Sequence, residues 1–347
     1  MHGFLNPYRK VGLDVSELAD IPFPSTASEK PAALLSRCPS AAETPLLDAP
    51  ALANRCGVAE CVIKDERGRM GLGSFKALGA AYVIAQDNVL GRARGQTYVT
   101  ASAGNHGLSV AAGAAAFGAR AIVVISEQVP EAFAEVLAGH GADVRRAGQD
   151  YEASMLEAAG LADEKEAVLL SDSSWPGYVE RPHQLMEGYL VLMAEVFEQI
   201  EQAPTHIFLQ AGVGGLAGAA AALARAHWGE APRIVVVEPE AAPALAASID
   251  AGRPVYAQGP ESVMGRLDCK EPSLIALKGL ARDADIYCTI SEDEALMGAK
   301  IAAKEGFATS ASGAAGLAAA LVANRNDVVG LRESSRVLVI LSERAIP

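Results

Sequence analysis

Lys76 is the residue whose setting most needs a chemical explanation. It follows a glycine-serine break, Gly71, Gly73 and Ser74, and Phe75-Lys76-Ala77-Leu78 opens an apolar run rich in Ala and Leu. The pattern predicts a helix start with Ser74 as its N-cap. A helix N-terminus carries about half a positive charge, so a lysine there is disfavoured by roughly 0.3–1 kcal/mol. Two readings follow: an exposed ammonium that reaches water, or an amine wanted neutral, because the dipole and burial both lower its pKa.

Two further loops have ligand-binding chemistry. In "TASAGNHG" (100–107), Ser102, Ala103 and Gly104 are small enough for the backbone to approach a ligand, and such a turn forms an anion nest. Asn105 adds an amide that donates and accepts, and His106 follows it. Taken alone, a tight turn that needs only Gly104 explains the loop equally well. In "QAGVGGLAGAA" (210–220), Gly212, Gly214 and Gly215 can present N–H groups to a phosphate at a helix start. The same stretch fits a dinucleotide fingerprint, Gly212-x-Gly214-x-x-Ala217, with Glu238 placed to hold a ribose. That fingerprint usually opens a domain, whereas here two other ligand-type loops precede it, and a dinucleotide needs neither. A monophosphate suits the loop better. An amine, an amide beside a carboxylate-sized nest and a phosphate cup together point to pyridoxal 5'-phosphate, tethered through Lys76.

The elements that must hold these loops alternate along the chain. Apolar, β-branched runs predict strands at 61–66, 97–101, 121–126, 167–172, 206–211, 234–239, 287–291 and 337–342. Helical patterns fill 75–86, 106–117, 131–139, 182–201, 215–227, 292–305 and 313–324. This is an open α/β architecture, which places ligands at the carboxyl ends of strands. At 347 residues the chain suits two lobes sharing it by insertion, and the Pro- and Ala-rich first 55 residues read as a wrapping arm. The net charge of −13 argues against nucleic acid or an anionic membrane as partner. Cys38, Cys56, Cys61, Cys269 and Cys288 show no zinc spacing and read as reduced thiols of a cytoplasmic protein; no export signal or membrane span is expected.

"KDERGRMGLGSFKALG", "SAGNHG", "GVGGL" and the terminal "LVILS" resemble the fold type II pyridoxal-phosphate enzymes, the tryptophan synthase β and threonine dehydratase superfamily. Within it the chain is most similar to diaminopropionate ammonia-lyases. That likeness rests on "SDSSWPGYVERPHQLMEGY" (171–189), "GPESVMGRLDCKEPS" (259–273) and "SASGAAGL" (310–317). The resemblance implies a fold of two open α/β lobes with the cofactor in the cleft between them. Residues 1–77 and 187–347 would form the large lobe, with 1–43 as its arm, and 78–186 the small inserted lobe. Lys76 would be the Schiff-base lysine and would take the α-proton. Asn105 would bond the cofactor's 3-hydroxyl oxygen, and Phe75 would also contact the cofactor. Gly212, Val213, Gly214, Gly215 and Leu216 would cup the phosphate. Ser342 would face the pyridine nitrogen, and a neutral hydroxyl there leaves that nitrogen largely unprotonated.

Substrate contacts implied by the family are Ser102, Ala103, Gly104, His106, Asp172 and Tyr178, with Asp172 meeting a distal amine. The activity implied is β-elimination from an L-amino acid, foremost 2,3-diaminopropionate to pyruvate and ammonia, by a homodimer. A dehydratase of serine, threonine or 3-hydroxyaspartate is the alternative, and a nicotinamide oxidoreductase the remoter one. The chain departs from the ammonia-lyase pattern at Ala103, where the family carries an aspartate thought to serve the D-isomer. Alanine transfers no proton, so action on the L-configured carbon alone is expected. His183 and His206 read as structural. Ala244 stands where relatives with a metal near Glu238 would supply a second carboxylate, so no required metal is expected. Cys269 reads equally as structural or pocket-lining.

Overall fold

The structure is a computed structural model that describes residues 1–149, 151–323 and 327–345. Its strands are β1 (His2–Leu5), β2 (Leu46–Asp48), β3 (Glu60–Asp65), β4 (Thr97–Ala101), β5 (Arg120–Ile125), β6 (Ala142–Arg146), β7 (Val168–Leu169), β8 (His206–Gln210), β9 (Arg233–Pro239), β10 (Ile286–Ile290) and β11 (Arg336–Leu341). Between them lie α1 (Glu29–Leu35), α2 (Pro50–Cys56), α3 (Lys76–Val89), α4 (Asn105–Ala116), α5 (Glu131–Gly139) and α6 (Tyr151–Glu164). The remaining helices are α7 (Glu180–Gln199), α8 (Gly215–Trp228), α9 (Ala244–Ala251), α10 (Leu274–Asp283), α11 (Glu292–Lys304) and α12 (Ala315–Val322).

Two sheets organise the chain. One runs β1-β10-β9-β8-β11-β3-β2, parallel in its interior and antiparallel at both edge pairings. The other runs β6-β5-β4-β7 and is parallel throughout. Every residue of β8 is buried, as expected for a strand covered by helices on both faces. His206 belongs to that strand, and its ring bonds the Val329 carbonyl, which is the structural role expected of it.

The arm differs from expectation, because β1 and β2 both join the large sheet as edge strands. The strand expected at 167–172 is paired only over Val168–Leu169, since the chain turns away to build a loop. The helix expected at 313–324 is seen as Ala315–Val322, and residue 324 lies outside the described residues.

Helices α3 and α7 cross with their backbones nearly touching. A Cβ on Gly188 would stand 2.6 Å from the Leu78 carbonyl oxygen and 2.9 Å from Gly79 Cα; one on Gly79 would stand 2.6 Å from Tyr189 Cε1. Only glycine on both helices permits this approach, which sets the depth of Lys76 at the start of α3. Gly188→Ala must push the helices apart, and we expect a loss of about 1–3 kcal/mol, read as a lowered Tm.

A buried charge cluster fixes the turn before Lys76. Arg69 donates to Glu66 Oε1 and Oε2 at 2.7 Å each and to Glu195 Oε1 and Oε2 at 2.7 and 2.6 Å. Lys64 donates to the same Glu195 at 2.7 Å and to the Thr44 carbonyl at 2.6 Å. Two cations and two anions thus balance in the interior, joining the arm, β3, the 66–71 turn and α7. Glu195→Leu leaves Arg69 and Lys64 short of negative charge, and denaturant unfolding should show a loss of about 3–5 kcal/mol.

Candidate active site

A cavity of about 310 Å³ opens where the carboxyl ends of β4, β8 and β11 converge with the loops that follow β7 and α9. It is lined by Lys76, Asn105, Asp172, Ser342 and the 212–216 loop, residues that lie far apart in sequence. Lys76, Asn105, Asp172 and the 212–216 loop are delivered where the chain passes from a strand to a helix, and Ser342 directly follows β11, the last strand; backbone polar groups at such ends are free to meet a ligand.

Lys76 opens α3. Its backbone N–H is accepted by Ser74 Oγ at 3.3 Å, so Ser74 does supply a hydroxyl, although Phe75 is the residue at the cap position. The ammonium pairs with Asp172 and lies 5.3 and 5.9 Å from the ring centroids of Phe75 and Tyr189. Burial works against its charge, yet the carboxylate at contact holds it protonated well beyond the ordinary lysine range. The neutral amine expected from dipole and burial is therefore not the state of this chain by itself; Asp172 outweighs both. Burial likewise opposes ionisation of Asp172, and the Lys76 ammonium holds the carboxyl well below its usual range.

The Asp172 loop is braced by side chains. Trp175 and Tyr178 stack with ring centroids 4.4 Å apart, and the Tyr178 hydroxyl donates to the Leu169 carbonyl at 2.9 Å while accepting from Ser171 N–H at 3.0 Å. Tyr178 does not line the cavity, and its hydroxyl is committed to the backbone. The structure therefore gives it a supporting place rather than the substrate contact expected of it. Ser174 bonds Ser273 at 2.7 Å, and Ser273 N–H donates to the Val213 carbonyl at 2.9 Å, so the Asp172 loop and the 212–216 loop are tied together through Ser273.

The glycine loop forms a cup. Gly214 has φ +97°, and a Cβ there would meet Leu245 and Ala276 at 2.9 Å; one on Gly212 would meet Cys269 Sγ at 3.0 Å. Helix α8 starts at Gly215, so the N–H groups of Gly215, Leu216 and Ala217 have no carbonyl in their own helix. Orphan donors at a helix start with a backbone no side chain could line suit a phosphate, and Lys76 shares the cavity, so the residues present fit pyridoxal phosphate. Cys269 lines this cavity, which resolves the choice left open above, and burial pushes its thiol up to about 12.

Across the cavity, the 102–106 turn is tight. Ser102 Oγ accepts from Gly104 N–H at 3.2 Å, and a Cβ on Gly107 would strike the Ser102 carbonyl oxygen at 2.2 Å. His106 Nε2 meets the Leu170 carbonyl at 2.8 Å, so that nitrogen carries the proton; burial lowers the ring's pKa and keeps it neutral. Ala103 faces the cavity with a methyl group only. Asn105 donates to Glu343, which also accepts from Ser310 Oγ.

Glu343, Arg266 and Gln210 line the cavity and were not singled out by the sequence reading. Each sits in irregular chain or at a strand end, where no periodicity marks it; the sole signal for Glu343 is its place directly after Ser342. Glu238, by contrast, lies outside the cavity lining. Both its oxygens accept N–H groups of Leu245 and Ala246, at 2.8 and 2.7 Å, and burial pushes its carboxyl up to about 8. It caps α9 and has no oxygen turned toward a ribose.

A phosphate cup at a strand-to-helix turn, with a lysine and an asparagine loop converging on it, defines a fold type II pyridoxal-phosphate site. The chain belongs to the pyridoxal-phosphate dependent enzyme family, whose pattern it matches over residues 38–343. Its cofactor is pyridoxal 5'-phosphate. Within that family it is 33% identical to the diaminopropionate ammonia-lyase of Salmonella typhimurium, over 75% of this chain and 71% of that protein. The holo diaminopropionate ammonia-lyase of Escherichia coli superposes with a TM-score of 0.88 at 25% identity, covering 99% of this chain and 93% of that one. Threonine deaminase isoform 2 of Solanum lycopersicum shares the fold, with a TM-score of 0.79 at 20% identity over 97% and 94% of the two chains.

The Lys76–Asp172 pair makes the cofactor-free chain sensitive to acid. Because the folded carboxyl is depressed, its contribution is complete above the ordinary aspartate value of about 3.9 and is lost as pH falls below it. In urea melts of cofactor-free protein, Asp172→Asn should lower stability at neutral pH and make the loss below about pH 4 shallower than in the parent.

Proposed function

We propose that the chain eliminates the β-substituent of an L-amino acid, with 2,3-diaminopropionate as substrate and pyruvate and ammonia as products. One observation carries this reading: a carboxylate, Asp172, is locked beside the tether lysine by a loop braced for that purpose. A β-ammonium is the group such a carboxylate would receive once Lys76 is engaged elsewhere.

In this reading Lys76 anchors the cofactor covalently, the N–H groups of 212–216 take its phosphate, Asn105 its 3-oxygen and Ser342 its ring nitrogen, with Phe75 alongside. The bound cofactor supplies an electron sink adjacent to the substrate's α-carbon. The Lys76 amine takes the α-proton, and the Asp172 carboxylate orients the β-ammonium, which already carries the proton it needs to leave as neutral ammonia. Ser102, Gly104 and the N–H groups of their turn receive the α-carboxylate, with His106 beside them as a neutral ring. The two sheets serve as lobes, residues 1–77 with 187–347 and residues 78–186, closing on a small amino acid. A homodimer in the cytoplasm belongs to the same reading, supported by the family resemblance. Among the described residues no helix is long and apolar enough to cross a membrane.

Ala103 confines proton transfer to the Lys76 side. A panel coupled to 2-oxo acid detection should show turnover of L-2,3-diaminopropionate and at most a hundredth of that rate with the D-isomer, an order-of-magnitude bound set by the loss of a general base. Ala103→Asp should raise the D-rate while leaving the L-rate within about threefold. Pyruvate from L-serine in preference to diaminopropionate would reassign the leaving group to hydroxide. Lys76→Ala should abolish both turnover and the visible absorption of the lysine-bound cofactor.

A further inference from the structure

We infer that Arg266 is the cationic half of a clamp for the substrate's α-carboxylate, closing on it from the side opposite the 102–105 turn. The inference deepens the elimination reading and rests on it for the identity of the substrate.

Arg266 lines the cavity from the 252–273 segment, and its backbone is fixed there. Its N–H donates to Ser312 Oγ at 3.2 Å, and its carbonyl oxygen packs against the cup, 3.2 Å from where a Cβ on Gly212 would lie. Its side chain reaches the nest: a Cβ on Gly104 would lie 3.8 Å from Arg266 Nε. Glu343 is its only ion-pair partner among the described residues, with Nε 3.2 Å from Oε2, a contact that does not align as a hydrogen bond.

The Glu343 carboxylate is meanwhile taken by Asn105 and Ser310. It therefore orients the guanidinium without occupying its fork. Neither Nη of Arg266 bonds any described residue. A guanidinium whose Nη groups bond no described residue, and whose Nε lies beside Gly104 of the nest, has the donors to take a carboxylate bidentately. Each wall holds an ion pair, Arg266 with Glu343 beside the nest and Lys76 with Asp172 apart from it. The donors left open for an anion are thus the Nη groups and the nest N–H groups, and the carboxylate released when Lys76 is engaged is Asp172. A zwitterion with its amine on the β-carbon fits that arrangement. An amide or ester in place of the α-carboxylate brings no anion to the Nη donors and is rejected.

The test uses the holoenzyme and two inert probes, propionate and propionamide, read by perturbation of the cofactor's visible band, with KM and kcat for diaminopropionate alongside. The parent should bind propionate at least about tenfold more tightly than propionamide. Arg266→Gln should bring propionate to the propionamide level and raise KM by a similar factor, with kcat within about threefold and ethylenediamine inhibition unchanged. Arg266→Lys should recover part of the preference, because it restores the charge without the fork. Equal affinity for the two probes in the parent, or an undiminished preference in Arg266→Gln, overturns the assignment. Parallel loss of propionate and ethylenediamine binding overturns it too, since that marks collapse of the pocket. If no amino acid is turned over but the preference for propionate still depends on Arg266, the elimination reading fails and the clamp stands.

Discussion

The contact between Gly79 and Gly188 is the constraint from which the site follows. Where two helices touch backbone to backbone, neither can slide or rotate without a clash, so α3 is indexed against α7 to within a fraction of an ångström. Lys76 begins α3 three residues before Gly79, and Tyr189 follows Gly188 directly, packing edge-on against Phe75 with centroids 4.9 Å apart. The lysine thus emerges at one depth and between two rings. Met186, further up α7, lies near Gly215 and Gly218 of α8, so one helix indexes Lys76 and the glycine loop together. The buried Arg69–Glu66–Glu195–Lys64 cluster extends that indexing to the chain preceding Lys76, through groups that hydrophobic side chains could replace in volume but not in direction.

Polarity inside the cavity is distributed by pairing. Lys76 with Asp172 and Arg266 with Glu343 are two ion pairs on different walls, each combining a fixed member with one free to meet a ligand. Asp172 is fixed by its braced loop, so a ligand that drew the lysine away would leave a preoriented carboxylate rather than a relaxed one. Glu343 is fixed by donors from two segments, Asn105 and Ser310, so the guanidinium is what can adjust. Charges that are paired before the ligand arrives cost less to bury, and their directions are already set when a substrate replaces one partner.

Much of this was legible in the residues. The strands β3, β4, β5, β8, β9, β10 and β11 all announce themselves as apolar β-branched runs, because burial on both faces leaves no polar positions to blur them. β6 did not, since "ADVRR" is a polar edge with little burial, and β1 and β2 are short and half-exposed. Helix α10 was missed although it is strongly amphipathic, for it follows a long irregular segment that hides its start. At the site, the glycine cup and the lysine turn were readable because backbone demands select residue types locally. Arg266, Glu343 and Gln210 were not, because a charge in a loop takes its meaning from what the fold brings opposite it. Tyr178 shows the converse: its motif was visible, but whether the ring faces ligand or backbone depends on the turn made by Trp175.

Glu238 separates the two cofactor readings that the glycine spacing alone leaves open. A glycine loop before a helix serves any phosphate, since it supplies only close backbone approach and orphan N–H groups. A dinucleotide needs in addition an acid at the end of the next strand with an oxygen free for a ribose hydroxyl. Glu238 is in that place by sequence, yet it is fully buried, with both oxygens turned to the first N–H groups of α9. Turning it outward would strip two donors of their acceptor in the interior, a cost of about 1–3 kcal/mol for each buried group left unpaired. The helix that follows β9 therefore closes the ribose position with the same carboxylate that would have marked it, and the cup is left with room for a single phosphate.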